Sequence, residues 1–336
     1  MSISKSDPIK KESMSFQDIY GHEKQIALLK SAITGGRLAH AYLFHGREGI
    51  GKKAAAMAFA AAILCDRKEA EACRTCLSCK KTGHGNHPDL IMIAAEGAFI
   101  KIQAIKDLLH MIAFRPLEGG RRLFIIDEAD RMNQAAANAL LKTLEEPTPA
   151  NILVLITSKP YTLPRTILSR CQQIRFSPLR QDAVAAYLEN KESLDHETAR
   201  MIAAAAEGSI QRARQLKGDD YLADRRAVMG HLAADHSGDP LRRLSLMRFL
   251  GKDKKDVSEK LSLLLSCFRD ALVWKEIPGN PTTANSDEQD AIQAITRLTT
   301  DDILYNLQTI STSIRALEYN ANKLLTLEAM TFTLRL

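Results

Sequence analysis

Long apolar runs are missing from this chain of 336 residues. None approaches the roughly 20 residues that a membrane-spanning helix needs, so the sequence predicts no membrane span. The first segment, residues 1–15, is polar and contains lysines without an apolar core, which argues against a secretory signal. We expect this segment to be a flexible tail and the protein to be cytoplasmic.

A strong charge bias, internal repeats and low-complexity tracts are also missing. The net charge is +6 and the isoelectric point is near 8.9. This modest excess fits a surface that faces nucleic acid and a solvated surface of mixed charge equally well. The apolar fraction of 45% and the charged fraction of 26% are those of a soluble globular protein. The length predicts two or three domains.

Cysteine is scarce, and its six copies are unevenly placed. Four of them lie within residues 65–79 in the pattern C-x7-C-x2-C-x2-C, namely Cys65, Cys73, Cys76 and Cys79. Such spacing lets four thiolates converge on one ion, and four sulfurs complete a tetrahedral zinc site with no open position. We therefore expect a structural zinc ion, with a redox pair or unrelated buried thiols as the alternatives. His84 and His87 follow closely enough to replace one cysteine.

The clearest motif is a glycine loop between a short apolar run, residues 41–44, and an alanine-rich helix. It fits the phosphate-binding pattern of two glycines separated by four residues, the second followed by lysine. Backbone N–H groups of such a loop converge on an anion, and the helix N-terminus adds partial positive charge. The candidate nucleotide-binding residues are Gly46, Gly49, Gly51, Lys52 and Lys53. Lys53 replaces the serine or threonine that holds Mg²⁺, so the loop predicts phosphate binding more clearly than hydrolysis.

An acidic pair follows a second apolar run, residues 122–126, which is typical of a buried parallel strand. Asp127 and Glu128 form the arrangement called Walker B, in which the first carboxylate holds Mg²⁺ through water and the second polarises the attacking water. Taken alone, the pattern also describes an ordinary acidic loop. A third apolar run ends at Thr157. This residue either senses a γ-phosphate or is simply the last residue of an ordinary strand.

Strand and helix signals alternate up to residue 178. Five strands are predicted, at residues 41–44, 90–93, 122–126, 152–157 and 172–176. Alternation with helices implies a parallel sheet with both faces covered. Only helices are predicted beyond Pro178, with polar segments at residues 236–239 and 279–287. Arg212 lies one turn into one of these helices, either near a nucleotide or on a solvated face. The apolar stripes of the last helices suit core packing or oligomerisation.

In combination, these motifs resemble the AAA+ ATPases, and among them the clamp-loader subunits of bacterial DNA polymerase III. The matching segments are residues 38–44, the four-cysteine insertion, residues 127–130, 139–147 and 169–172, and Gly208-Ser209 with Arg212. They follow one another in order over about residues 16–216. The C-terminal third matches more loosely, around residues 320–322.

The resemblance implies an α/β plus all-α architecture. It consists of the tail, an AAA+ P-loop domain with a five-stranded parallel sheet at residues 16–178, a small helical lid at residues 179–235 and a helical collar at residues 236–336. It further implies a hetero-pentameric ring with gamma/tau motor subunits and a delta subunit, which uses ATP to place the sliding clamp on primer-template DNA. In that family Arg170 would act in trans as an arginine finger on a neighbour's ATP, and Arg212 would be a second sensor.

Lys53 is the departure from the motor members of the family. The resemblance therefore favours a structural and regulatory subunit, at most a weak ATPase and not itself a polymerase. Asp127 and Glu128 are then vestigial, and ATP with Mg²⁺ stays open as a ligand. The alternative is an active ATPase of the gamma/tau kind. A helicase, suggested by the letters Asp-Glu-Ala-Asp, is disfavoured because the chain has no second motor domain.

Overall fold

The computed structural model describes residues 15–95, 97–118, 120–233, 240–251, 253–277 and 289–336. The polar segments at residues 236–239 and 279–287 and all but the last residue of the expected tail lie outside the described residues. The chain divides into two compact units, residues 1–187 with 207–212, and residues 188–206 with 213–336. The division into tail, P-loop domain, lid and collar stays a prediction.

A five-stranded parallel sheet forms the centre of the first unit, in the order β2-β3-β4-β1-β5. The strands are β1 (Ala41–His45), β2 (Leu90–Ile93), β3 (Arg122–Ile126), β4 (Asn151–Thr157) and β5 (Gln172–Arg175). The predicted α/β class with its parallel sheet is thereby confirmed. Phe44 of β1 pairs with Ile156 of β4, and Ile126 of β3 pairs with Leu155. The segments after β1, β3 and β4 therefore leave one edge of the sheet side by side, where α/β proteins bind ligands.

Helices cover both faces of this sheet. Helices α1 (Glu23–Thr34) and α2 (Lys52–Leu64) pack on one face, and α4 (Ile102–Ile112), α5 (Gln134–Glu145) and α6 (Arg165–Leu168) pack on the other. Helix α3 (Leu77–Gly83) packs against α2, and α7 (Gln181–Glu192) begins in this unit. Side chains of a strand alternate between faces, so Tyr42 and Phe44 pack with Phe59 of α2, while Leu43 packs with the core residues of α4 and α5. Burial on both faces explains the unbroken apolar runs that the sequence shows.

A buried ion pair holds the loop between α4 and β3. The carboxylate of Asp89, before β2, accepts the Nε hydrogen of Arg122 at 3.1 Å. It also accepts the backbone N–H groups of Leu117 and Glu118, at 2.8 and 2.7 Å. Arg122 in turn donates to the carbonyl of Met111 at 2.7 Å. Because both charged groups are almost fully buried, these bonds replace the water that each has lost.

The second unit is helical. It contains the end of α7, α8 (His196–Ala205), the end of α9 (Ile210–Gln215), α10 (Asp219–Ala233), α11 (Pro240–Phe249), α12 (Lys254–Glu276), α13 (Gln289–Thr296), α14 (Thr300–Glu318) and α15 (Lys323–Thr333). The longest helix, α12, packs against α10, α13 and α14. Of its predicted apolar stripe, Val257, Leu261, Leu264 and Phe268 are completely buried, whereas Leu265 and Leu272 are partly exposed. None of the helices in the described ranges is long and apolar enough to span a bilayer.

Candidate functional site

The glycine loop joins β1 to α2 as predicted. Gly46, Gly49 and Gly51 have φ angles of 145°, 75° and 100°, in the region that favours glycine. A Cβ at Gly46 would lie 2.2 Å from the carbonyl oxygen of Phe176, so a larger residue does not fit there. Helix α2 begins at Lys52 without a side-chain cap, so its first backbone N–H groups stay available to an anion.

Lys52 is bound to the loop itself. Its ammonium group donates to the carbonyl oxygens of Gly46 at 2.7 Å and Arg47 at 2.6 Å. Burial lowers the pKa of Lys52, while Glu48, Asp127 and Asp130 act in the opposite direction. The ammonium group of the lysine predicted to reach the phosphates is thus bonded to two carbonyl oxygens of the loop itself.

Lys53 lies against the Walker B aspartate. Its Nζ is 3.0 Å from Oδ2 of Asp127, and the two side chains are 31% and 17% exposed. A lysine ammonium group only donates hydrogen bonds and carries a single positive charge, whereas Mg²⁺ needs oxygen ligands around it. The residues present here therefore do not fit a magnesium ion: the expected hydroxyl is absent, and the carboxylate expected to serve the metal is already paired.

The remaining Walker B and sensor residues are also engaged within the chain. Glu128 has a φ of 53°, and its Oε1 is 3.0 Å from Nη2 of Arg131. Burial raises the pKa of Glu128, with further increases from the acidic neighbours and a decrease from Arg131. Thr157 is buried and gives its hydroxyl hydrogen to Oδ1 of Asp130 at 2.6 Å. As placed, Thr157 cannot donate that same hydrogen to a phosphate.

Arg212 reaches the loop through a carboxylate. Glu207 Oε2 lies 2.5 Å from Nη2 of Arg47 and 3.9 Å from Nη1 of Arg212, so one anion joins both arginines. The backbone N–H of Gln211 donates to the carbonyl of Gly49 at 3.1 Å. Residues 207–212 therefore contact the glycine loop directly, and a role of Arg212 at a nucleotide stays a prediction.

Arg170 makes its polar contacts elsewhere. Its Nη2 lies 2.9 Å from Oε1 of Glu145 at the end of α5. Its Nη1 donates to the carbonyl of Thr166 at 3.0 Å and to Oγ of Ser169 at 3.3 Å. None of these partners belongs to the glycine loop or to the Walker B segment. The predicted action of Arg170 on a neighbouring chain stays a prediction.

The four cysteines come together as predicted. Their sulfur atoms all lie within 4.8 Å of one another, and the Cys65–Cys76 and Cys73–Cys79 pairs are each 4.0 Å apart. Four zinc–sulfur bonds of about 2.3 Å in a tetrahedron separate the sulfurs by roughly 3.8 Å, so this set fits zinc closely.

Hydrogen bonds also prepare the cysteines for a cation. Backbone N–H groups donate from Cys73 to the sulfur of Cys65, from Cys76 to that of Cys73, and from Cys79 to that of Cys76. The hydroxyl of Thr75 and the N–H of Cys76 lower the pKa of the Cys73 thiol to about 5. Burial instead raises the pKa of Cys79. Hydrogen bonds thus favour the ionised form of Cys73, and a metal would favour ionisation of the buried Cys79 thiol.

The two histidines near the cluster do not join it. His84 is exposed, and its Nδ1 lies 2.6 Å from the carbonyl of Lys80. His87 is buried: its Nδ1 accepts the N–H of Asp89, and its Nε2 is 2.8 Å from Oγ of Ser78. Because the Ser78 hydroxyl already donates to a carbonyl, Nε2 of His87 carries the hydrogen in that bond. Four sulfurs alone therefore form the candidate metal site.

Comparison with known proteins agrees with this geometry. The family model described as DNA polymerase III, delta subunit, matches residues 21–180, and the model of the C-terminal part of the delta subunit matches residues 219–334. The chain belongs to the clamp-loader family of DNA polymerase III subunits.

The share of each relative that aligns with this chain differs within the clamp-loader family. It is 40% identical to DNA polymerase III subunit delta' of Bacillus subtilis over 200 residues, which cover 60% of each chain. It is 32% identical to subunit tau of the same organism over 79% of this chain and 51% of tau. The match thus spans about 60% of the delta' subunit and about half of tau. A gamma subunit-related protein of Thermotoga maritima aligns over 92% of this chain and 97% of its own, at 19% identity and a TM-score of 0.43, which is too low to support an argument.

The sequence motifs assigned no role to three carboxylates that bind other polar residues around the site. Glu145 pairs with Arg170, Glu207 with Arg47, and Asp130 with Thr157. Asp130 lies inside the Walker B segment, and its position after a buried strand was a usable signal. The partners of Glu145 and Glu207 lie 25 and 160 residues away in the sequence, so no local pattern could indicate them.

Proposed function

We propose that this chain is a delta-prime-type subunit of the bacterial clamp loader. It supplies Arg170 to ATP bound by a neighbouring subunit and does not itself turn over ATP. Membership of the family supports the clamp-loader part of this proposal, and the delta' relative supports the type. The pairing of Lys53 with Asp127 carries the claim that this chain is not a motor.

The proposed chemistry is electrostatic. An arginine finger stabilises the negative charge that develops on the transferred phosphoryl group, and in well-studied cases it accelerates the reaction about 10³- to 10⁵-fold. Guanidinium is always charged at neutral pH and presents planar paired donors, which lysine does not. The side chain of Arg170 is 34% exposed, so a neighbouring chain can reach it. In this proposal, Lys52, Arg47 and Arg212 belong to an inherited nucleotide site that has lost its metal chemistry.

A structural zinc ion completes the proposal. It would be held by Cys65, Cys73, Cys76 and Cys79, and it would supply a rigid link between the end of α2 and the start of α3. Because all four ligands are sulfur, no position is open for water, and no catalytic role is proposed. The donor chemistry and the backbone N–H bonds to sulfur support this assignment.

The proposed partners are gamma/tau motor subunits and a delta subunit in a hetero-pentamer. The sliding clamp and primer-template DNA are contacted through that complex. Tau and delta' relatives support membership in such a complex. We place the protein in the cytoplasm, at the nucleoid where replication forks lie.

The deciding experiment compares Arg170→Ala with the unchanged chain in a loader reconstituted from the subunits of the same organism. We expect the variant to assemble normally and to lower the DNA-dependent ATPase rate of the complex. An ATPase rate equal to that of the unchanged complex, with assembly intact, would refute the proposal.

An active gamma/tau-like ATPase is the second candidate. The retained Asp127 and Glu128 and the 32% identity to tau favour it. The isolated chain distinguishes the two, because the second candidate requires hydrolysis that Lys52→Ala abolishes, whereas the first requires none.

A further inference from the structure

The guanidinium group of Arg170 is held by three acceptors on two elements. Two lie in its own segment, the carbonyl of Thr166 and the hydroxyl of Ser169, and both bind Nη1. The third is the carboxylate of Glu145, which binds Nη2 from the last residue of α5. An arginine has five N–H donors, so these contacts leave the Nε hydrogen and one Nη2 hydrogen for another group. Two donors are what bidentate binding of a phosphate requires.

Glu145 stands at an unfavourable place for a carboxylate. It is the last residue of α5, where the partial negative charge of the helix end repels an anion. Glu146 follows it at the same helix end and makes no ion pair within the part of the chain that the structure describes. The difference between these two glutamates is therefore the contact with Arg170, and Glu146 provides a natural comparison.

This contact adds little to folding stability. The side chains of Arg170 and Glu145 are 34% and 49% exposed, and pairs as open as this one are strongly screened by water. Its main physical effect is on orientation. A free arginine side chain samples many rotamers, whereas one fixed through both terminal nitrogens has a defined guanidinium plane.

We infer that Glu145 is a positioning residue that holds Arg170 ready for the phosphate of a neighbouring subunit. This inference rests on the proposed function of Arg170. Without Glu145, Nη1 alone is fixed, and the guanidinium group rotates away from the productive geometry in a large fraction of molecules. Loss of orientation lowers the rate of the chemical step more than it lowers ATP affinity, because ATP is bound by the neighbour.

The test measures kcat and KM for ATP in the reconstituted loader with Arg170→Ala, Glu145→Ala, Glu145→Gln and Glu146→Ala. We expect Glu145→Ala to lower log kcat by at least about half as much as Arg170→Ala does, with KM unchanged. Glu145→Gln, which keeps an acceptor oxygen, should recover part of that loss. Glu146→Ala should match the unchanged complex. Combining Glu145→Ala with Arg170→Ala should lower kcat no further than Arg170→Ala alone.

The outcomes separate this inference from the function on which it rests. If Arg170→Ala leaves kcat unchanged, the proposed function fails and the inference fails with it. If Arg170→Ala lowers kcat while Glu145→Ala equals Glu146→Ala, only the positioning role is overturned. An equal effect of Glu145→Ala with and without Arg170 would also overturn it, because Glu145 would then act independently. Thermal unfolding of each variant confirms that the fold is retained.

Discussion

The ammonium nitrogen of Lys53 lies 3.0 Å from a carboxylate oxygen of Asp127. Lys53 is on the first turn of α2 and Asp127 directly follows β3, so the pair joins the two motifs that define a nucleotide site. In a motor subunit a divalent metal would connect these motifs and neutralise phosphate charge. Here the ammonium group of Lys53 is the cation paired with Asp127. This pairing is the observation behind our proposal that the site has lost its metal chemistry.

Restoring the missing hydroxyl should restore metal dependence. In Lys53→Thr the carboxylate of Asp127 is released, and a threonine oxygen becomes available to Mg²⁺. We expect nucleotide affinity of this variant to rise at least about tenfold when Mg²⁺ replaces EDTA, which corresponds to about 1.4 kcal/mol. Affinity of the unchanged chain should not respond to Mg²⁺. Titration with a fluorescent ATP analogue measures both.

The control for this prediction adds Asp127→Asn to Lys53→Thr. Loss of the second charged ligand should remove the response to Mg²⁺ again. If Lys53→Thr binds nucleotide equally in Mg²⁺ and EDTA, the ion pair is not what excludes the metal, and the explanation given for the altered loop is wrong.

The cysteine cluster predicts a metal content that mutation can change. Purified without chelator, the chain should contain equimolar zinc, and Cys76→Ser should lose most of it because three sulfurs leave an open position. His84→Ala is the matched comparison: this histidine is close in sequence but bonded to Lys80, so its zinc content should be unchanged. Elemental analysis decides both.

Removal of zinc should also destabilise the first unit. The cysteines proposed to hold zinc lie on either side of Glu71, whose carboxylate binds Ser15, the backbone of Phe16 and Lys30. We therefore expect chelation to lower the melting temperature by on the order of 5 °C, through loss of ligand binding to the folded state. A melting curve that chelator leaves unchanged, in protein shown to have lost its zinc, would contradict a structural role.

Local patterns predicted the elements and motifs of this chain, because strands, the glycine loop and the cysteine spacing each depend on neighbouring residues. The strand that ends at Thr157 was predicted from a continuous apolar run, and helix α12 from apolar residues at helical spacing. The charge pairs were beyond sequence reasoning, since Lys53 and Asp127 are 74 residues apart and meet only when the sheet orders its strands. The predicted role of Thr157 as a phosphate sensor stays a prediction; its hydroxyl hydrogen is given to Asp130.

Two ion pairs lie at the segment that joins α4 to β3, and their contributions to the free energy of unfolding should differ sharply. Asp89 and Arg122 are buried, so Asp89→Ala leaves an uncompensated guanidinium and should lower the free energy of unfolding by about 3–5 kcal/mol. The side chains of Lys81 and Glu118 lie 2.6 Å apart and are partly exposed. Lys81→Ala should therefore lower the free energy of unfolding by no more than about 1 kcal/mol. Chemical denaturation of the full chain measures the free energy of unfolding of each variant. Replacing Asp89 and Arg122 together by apolar residues should recover part of the loss. Equal costs for the two single variants would show that burial does not set the strength of the Asp89–Arg122 pair.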